Sequence, residues 1–431
     1  MFKRTKYLEK RISSIGNGRI KIITGPRRSG KSYLRFRIFK NHLLDSRVKE
    51  DHILSLKLDQ KDSARYRSLD EFTSYFKKNR IKDGKTMFFL IDEIQLVEKK
   101  ENPYVKGDIL TFYDALNEFL EWENTEIFVT GSNSHRLSSD IATEFRGRGW
   151  LIHRNPLSFS EIREATPSSI SDFELYDAYW KYGGLPECVL LKENERKRQY
   201  LSSVFLTTYL KDIAERNGLK DETSLKELTS FLASSVGSLV SPNKIANTFQ
   251  SKEQRKIAPN TIRRYLGYLE DSFMVYEAQR YDLKGKNILN GSRKIYFADR
   301  GIRNAAAQYK GRDQEPHFRE NIIYNELLYR GFLCNVGVIE NIENKDGKSR
   351  KIIREVDFVA EKNDKRLYIQ SAFLIDNADK LKQEKTSLMK TKDAFPKIII
   401  SKFTSGSSYD EDGVLHVGLF DFLLGKEPLL N

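Results

Sequence analysis

The run GPRRSGKS at residues 25–32, set directly behind an apolar stretch at 21–24, constrains this chain more than any other feature. It satisfies the whole phosphate-loop pattern, two glycines bounding a turn that ends in Lys-Ser. Glycines let the backbone wrap an anion closely, and the helix that follows turns its positive end toward that anion. The spacing therefore predicts strand, loop and helix. Gly25, Pro26, Arg27, Arg28, Ser29, Gly30, Lys31, Ser32 and Tyr33 are the candidate nucleotide-contacting residues. Lys31 is placed to reach the outer phosphates, and Ser32 to offer its hydroxyl to Mg²⁺.

Such a loop needs an acid at the tip of a neighbouring buried strand. FFLIDE at 88–93 supplies it. Its unbroken apolar run suits a strand covered on both faces. Asp92 is the candidate Mg²⁺ partner, and Glu93 is the candidate base that polarises an attacking water. A third apolar strand, in EIFVTGSN at 126–133, ends at Thr130, Ser132 and Asn133, of which Ser132 and then Asn133 are favoured as γ-phosphate sensors. Arg146 and Arg148 in FRGRG are candidates for an arginine finger, since a guanidinium can neutralise charge on a transferring phosphoryl group. The chain lacks the base-reading N-K-x-D element of guanine-specific enzymes, which favours ATP.

At 431 residues the chain exceeds one ordinary core. Alternating strand and helix patterns predict an α/β parallel sheet over 1–165. A helical lid or linker is expected over 166–235, a winged helix-turn-helix over 236–285 and a further α/β domain over 286–431. In the winged-helix segment Ser241 and Asn260 are the expected helix caps. Cys188 and Cys334 stand without partner spacing, which argues against a disulfide scaffold or a cysteine-held metal. No apolar run approaches the roughly 18 residues of a membrane span. With no signal-peptide pattern at the amino end, the expectation is a cytoplasmic protein that does not engage membrane. The formal charge of +14 favours polyanionic partners. Between Ser241 and Arg280, seven cationic side chains face four acidic ones, so DNA contact is expected there, with Arg263 and Arg264 near the start of the second helix.

With GPRRSGKS, FLIDEIQ, VTGSNSHRLSSDIATEFRGRGWLIHRNPLSFSEI, YGGLPE, TYLKDIAERN, FADRGIRN and ENIIYNELLYRG in hand, the chain resembles the bacterial and archaeal AAA-superfamily ATPases that carry a DUF4143 carboxy-terminal domain. The resemblance implies an AAA-like P-loop core, a winged helix and a carboxy-terminal domain of the restriction-endonuclease-like fold. It also implies an ATPase site carried by Lys31, Ser32, Asp92 and Glu93. A nuclease of that fold needs a helix glutamate, a strand aspartate and then acid-x-lysine, to hold metal and activate water. Glu320 or Glu326 and Asp357 meet the first two demands, but Gln370-Ser371-Ala372 stands where acid-x-lysine belongs. The domain is therefore expected to lack nuclease activity. The reading that results is a Mg²⁺-dependent ATPase switch acting on DNA or a partner protein, as a monomer or a homo-oligomer. Two alternatives stay open: a non-enzymatic DNA- or protein-binding module with a vestigial nucleotide site, and a metal-dependent nuclease.

Overall fold

The structure is a computed structural model that describes residues 2–131, 147–252, 256–309, 315–345, 348–372, 378–391, 393–402 and 406–427. The chain divides into two compact units. One comprises Met1–Pro156 with Asp271–Phe273, and the other Leu157–Glu270 with Met274–Asn431.

The first unit is built on five parallel strands: β1 (Ile20–Thr24), β2 (Ile53–Lys57), β3 (Met87–Asp92), β4 (Thr125–Thr130) and β5 (Gly149–His153). Their order across the sheet is β2-β3-β4-β1-β5. Every residue of β1 and β3 is buried, as strands covered on both faces require. One face packs Phe72 and Phe76, from helix Leu69–Asn79, against Phe89 and Phe119 in an aromatic cluster. Helix Phe112–Leu120, which carries Phe119, starts at a capping box of Thr111 and Asp114. The other face packs Phe39 against Phe128. Between β1 and β4, Lys21 donates to Glu126, and the pair is nearly sealed from solvent. Strand β5 was not foreseen in the sequence, because its GWLIH is exposed at Trp150 and Leu151 and lacks a continuous buried apolar run. The predicted core reached residue 165, whereas the compact unit closes at Pro156 and helix Phe159–Ala165 lies in the second unit.

The second unit opens with helices. Ser158 with Glu161 and Ser171 with Glu174 form the capping boxes of helices Phe159–Ala165 and Asp172–Tyr182. Two of the sequence motifs interlock here. The Asp299 carboxylate of FADRG accepts from Gly184 N at 2.7 Å and caps Ile302 N at 3.1 Å. A Cβ on Gly183 of YGGLPE would lie 2.3 Å from that carboxylate, and one on Gly301 would lie 2.2 Å from the Tyr182 carbonyl. Those glycines are thus explained by close packing.

Helices Pro242–Lys252 and Pro259–Asp271 precede a hairpin, β7 (Val275–Asp282) and β8 (Asn287–Phe297), with the short β6 (Leu239–Val240) beside β8. These are winged-helix elements. Ser241 caps as expected, accepting from Lys244 N at 3.2 Å. Asn260 does not cap, because the second helix begins at Pro259, the preferred first position for proline, and Ile262 N bonds back to Ala258. The wing does not end a separate sheet. It continues into β9 (Leu333–Lys345), β10 (Lys348–Lys362), β11 (Lys365–Ala372), β12 (Lys397–Ser401), β13 (Ser407–Tyr409) and β14 (Leu415–Gly418), in the order β13-β14-β12-β11-β10-β9-β7-β8-β6. Helix Glu315–Arg330 precedes the antiparallel β9-β10-β11 meander, and helix Ala378–Met389 crosses over to β12, which runs parallel to β11.

Candidate nucleotide-binding site

All five strands of the first sheet run the same way, so Thr24, Lys57, Asp92, Thr130 and His153 share its carboxyl edge. The phosphate loop leaves β1 at this edge, two strands from Asp92, with Thr130 on the strand between. Gly25 adopts φ 137°, and a Cβ there would sit 2.0 Å from the Arg154 carbonyl oxygen, so glycine is obligatory. Gly30 closes the loop at φ 85°, and Arg28 is also left-handed at φ 59°. A helical segment follows, α at Lys31–Tyr33, π at Leu34–Phe39 and α again at Lys40–Asp45.

Lys31 is buried, and its Nζ donates to the Gly25 and Pro26 carbonyls at 2.8 and 2.9 Å. Burial lowers its pKa to about 8, opposed by the negative charges of Glu93 and Asp92 and reinforced by the positive charges of Arg27 and Arg154. The acids therefore lie within electrostatic reach of the lysine. Asp92 is buried and accepts a hydrogen bond from the Thr130 hydroxyl, which itself accepts from Glu93 N at 3.4 Å. Glu93 occupies the left-handed region at φ 53°, a strained choice for a side chain of this size, and its carboxylate accepts from Gln95. Of the remaining loop residues, Pro26 and Ser29 are buried, Arg27 and Tyr33 are half-buried, and Arg28 and Ser32 are exposed.

Ser132, Asn133 and Arg146 fall outside the described residues. Arg148 stands at the opposite end of the sheet from the loop. Its carbonyl accepts from Ile20 N where β1 begins, and its guanidinium pairs with Glu121 at 2.6 Å in solvent. The structure does not bring it to the loop of its own chain.

Sequence reasoning missed Arg154 and His153. Arg154 is buried, donates to the Gly30 carbonyl, and bonds through its backbone N to Thr24 O at 2.9 Å. It thus touches both ends of the phosphate loop. The segment after it is fixed by the amino-terminal helix Thr5–Ile12. Arg4 donates to the Asn155 carbonyl at 2.6 Å, and Tyr7 Oη accepts from Asn155 N at 3.0 Å. Burial drives the pKa of His153 down to about 4, so its ring is neutral beside Lys31. The only hint in sequence was the polar HRN that follows an otherwise unremarked apolar segment.

These donors suit a metal-bound anion. A backbone cradle that excludes a Cβ, an ammonium at its base and a buried carboxylate on a nearby strand tip are what a magnesium triphosphate requires.

The AAA domain family matches residues 17–163. An uncharacterized protein of Haemophilus influenzae is 34% identical over 431 residues, covering 98% of this chain and 99% of that one. The chain belongs to the same family as this protein. It carries an AAA ATPase domain, and the core read from the phosphate loop and Asp92 falls within the matched span. A second family, domain of unknown function DUF8612, matches residues 173–313. That corrects the expected DUF4143 assignment: the matched region spans the helices, the winged-helix elements and the YGGLPE, TYLKDIAERN and FADRG motifs, most of it upstream of the domain expected over 286–431. An uncharacterized protein of Methanocaldococcus jannaschii is 28% identical over 381 residues, covering 85% of this chain and 77% of that one. Among solved structures, the Aeropyrum pernix ORC2 protein overlaps 72% of this chain and 92% of its own, at 12% identity and a TM-score of 0.33, too slight a likeness to bear on fold.

Proposed function

We propose that this AAA-domain protein binds MgATP and hydrolyses it, and that the nucleotide state governs a second unit that contacts DNA or a partner protein. The reading rests on the convergence, at one sheet edge, of a complete phosphate loop with the buried Asp92 and the strained Glu93. When bound, MgATP supplies the transferable phosphoryl group and the charge neutralisation that a metal gives it. Loop residues 25–33 cradle the phosphates, and Lys31 turns its ammonium from the loop carbonyls toward them. Ser32 and Asp92 hold the metal, with Thr130 orienting Asp92. Glu93 takes the proton of the attacking water. Ser132 and Asn133 serve as sensors of the outer phosphate. Arg146 and Arg148 act as fingers across a subunit boundary, a role that would explain why Arg148 faces away from its own loop.

Contact with DNA is assigned to the winged-helix elements, where Arg263 and Arg264 lie on an amphipathic helix whose apolar Ile262, Tyr265, Leu266 and Leu269 are buried. The carboxy-terminal sheet is read as a restriction-endonuclease-like fold without nuclease activity, on the strength of its helix, three-strand meander, helix and parallel strand.

Steady-state ATP turnover tests the proposal. Lys31→Ala abolishes nucleotide binding, whereas Glu93→Gln keeps binding and slows turnover by about 10² or more. Wild-type protein that neither binds nor turns over ATP at millimolar Mg²⁺ refutes it.

A further inference from the structure

Far from the phosphate loop in sequence, the second unit buries a compact set of charges that no role above uses. Lys294, on β8, donates from Nζ to Glu320 Oε2 at 3.0 Å and to Asp357 Oδ1 at 3.4 Å. The three side chains are 5%, 9% and 10% exposed and come from three separate elements: a wing strand, helix Glu315–Arg330 and β10. Tyr296 Oη donates to the same Glu320 oxygen at 3.1 Å, and Ser371 N donates to the other Asp357 oxygen at 2.9 Å. Half-buried Gln370 accepts from Asp357 N at 3.3 Å and donates to half-buried Glu384 at 3.2 Å. Glu326, the other candidate helix acid, pairs instead with Arg330 at 2.8 Å.

We propose that the Lys294 ammonium stands in a divalent-cation site, acting as a tethered cation that holds Glu320 and Asp357 together and keeps metal out. Two carboxylates oriented by further donors onto one point form the kind of oxygen pair that binds Mg²⁺ or Mn²⁺. The ammonium places positive charge between the two carboxylates, where a bound cation would otherwise lie. Among the described residues no group of three or more His, Cys, Asp or Glu side chains is placed to hold a metal ion. Lys294 is contributed by the wing, outside the helix-and-meander element that carries both acids. One substitution therefore separates the closed cluster from an open one.

The probe is Mn²⁺ alone, titrated into nucleotide-free full-length protein and followed by the paramagnetic signal of the free ion. Wild type and Asp357→Asn bind the same amount of Mn²⁺, because the site is filled. Lys294→Ala gains one Mn²⁺ per chain, bound about tenfold or more tightly than any site of the parent. That gain disappears in Lys294→Ala/Asp357→Asn, and Lys294→Arg shows none. Mn²⁺ also raises the melting temperature of Lys294→Ala but not of wild type. If Lys294→Ala folds only with Mn²⁺ present, the proposal stands. If it folds yet gains no metal, or stays unfolded with and without Mn²⁺, the proposal falls. Wild-type Mn²⁺ binding that Asp357→Asn removes overturns it as well.

Discussion

Lys31 works against its surroundings. Its ammonium is buried and hydrogen-bonded to carbonyls of its own loop, and burial, the largest of its influences, brings it down to about 8. Binding an anionic ligand favours the charged amine, so affinity is complete below that value and falls as pH rises through it. A fluorescent-nucleotide titration between about pH 7 and pH 9 should show affinity declining above 8, by up to about tenfold per unit; a flat profile contradicts the assignment. Gly25 makes an independent prediction. Its Cβ position is filled by backbone, the Arg154 carbonyl at 2.0 Å, and not by a side chain that can move aside. Gly25→Ala should therefore cost roughly 1–3 kcal/mol or more of stability, read by thermal melting, and lose nucleotide binding. At this scale the sequence disclosed the loop and Asp92 because both are local: contiguous residues on predictable elements. Arg154 escaped notice because its importance is purely spatial, arising from β5 lying next to β1.

Elements carry the interlocking of YGGLPE with FADRG. The Asp299 carboxylate is buried, raised to about 6, and ties Gly184 N to the start of helix Arg300–Ala306. Asp299→Ala leaves the Gly184 and Ile302 backbone donors without that acceptor, so a loss of about 2–4 kcal/mol is expected in urea unfolding, with an unchanged denaturant slope. An effect below about 0.5 kcal/mol would show that the motifs meet without supporting each other. Strand β3 was legible as an unbroken apolar run, β1 and β4 as mostly apolar segments, and the capped helices as amphipathic repeats. Strand β5 was not, because an edge strand exposed on one side needs no continuous apolar run. Nor could the sequence show that the wing hairpin joins the carboxy-terminal sheet, since the parallel β7–β9 pairing joins strands separated by the whole of helix Glu315–Arg330.

The whole molecule adds charge to shape. With a formal charge of +14, weak binding to any nucleic acid is expected, so affinity alone would not single out the winged-helix elements. Its salt dependence would. Arg263→Ala and Arg264→Ala should each lower the slope of log affinity against log salt by about one, and weaken binding alike across duplex sequences. Unchanged slopes would move DNA contact elsewhere. The central claim is narrower: the loop after β1 and the acid ending β3 hold one metal-bound triphosphate between them. Nucleotide titration with and without Mg²⁺, in wild type and in Asp92→Asn, tests it most directly. The account predicts that Mg²⁺ tightens binding by about tenfold or more in wild type and that Asp92→Asn loses this gain while still binding metal-free nucleotide. Binding that ignores Mg²⁺ in wild type, or a Mg²⁺ gain untouched by Asp92→Asn, would contradict it.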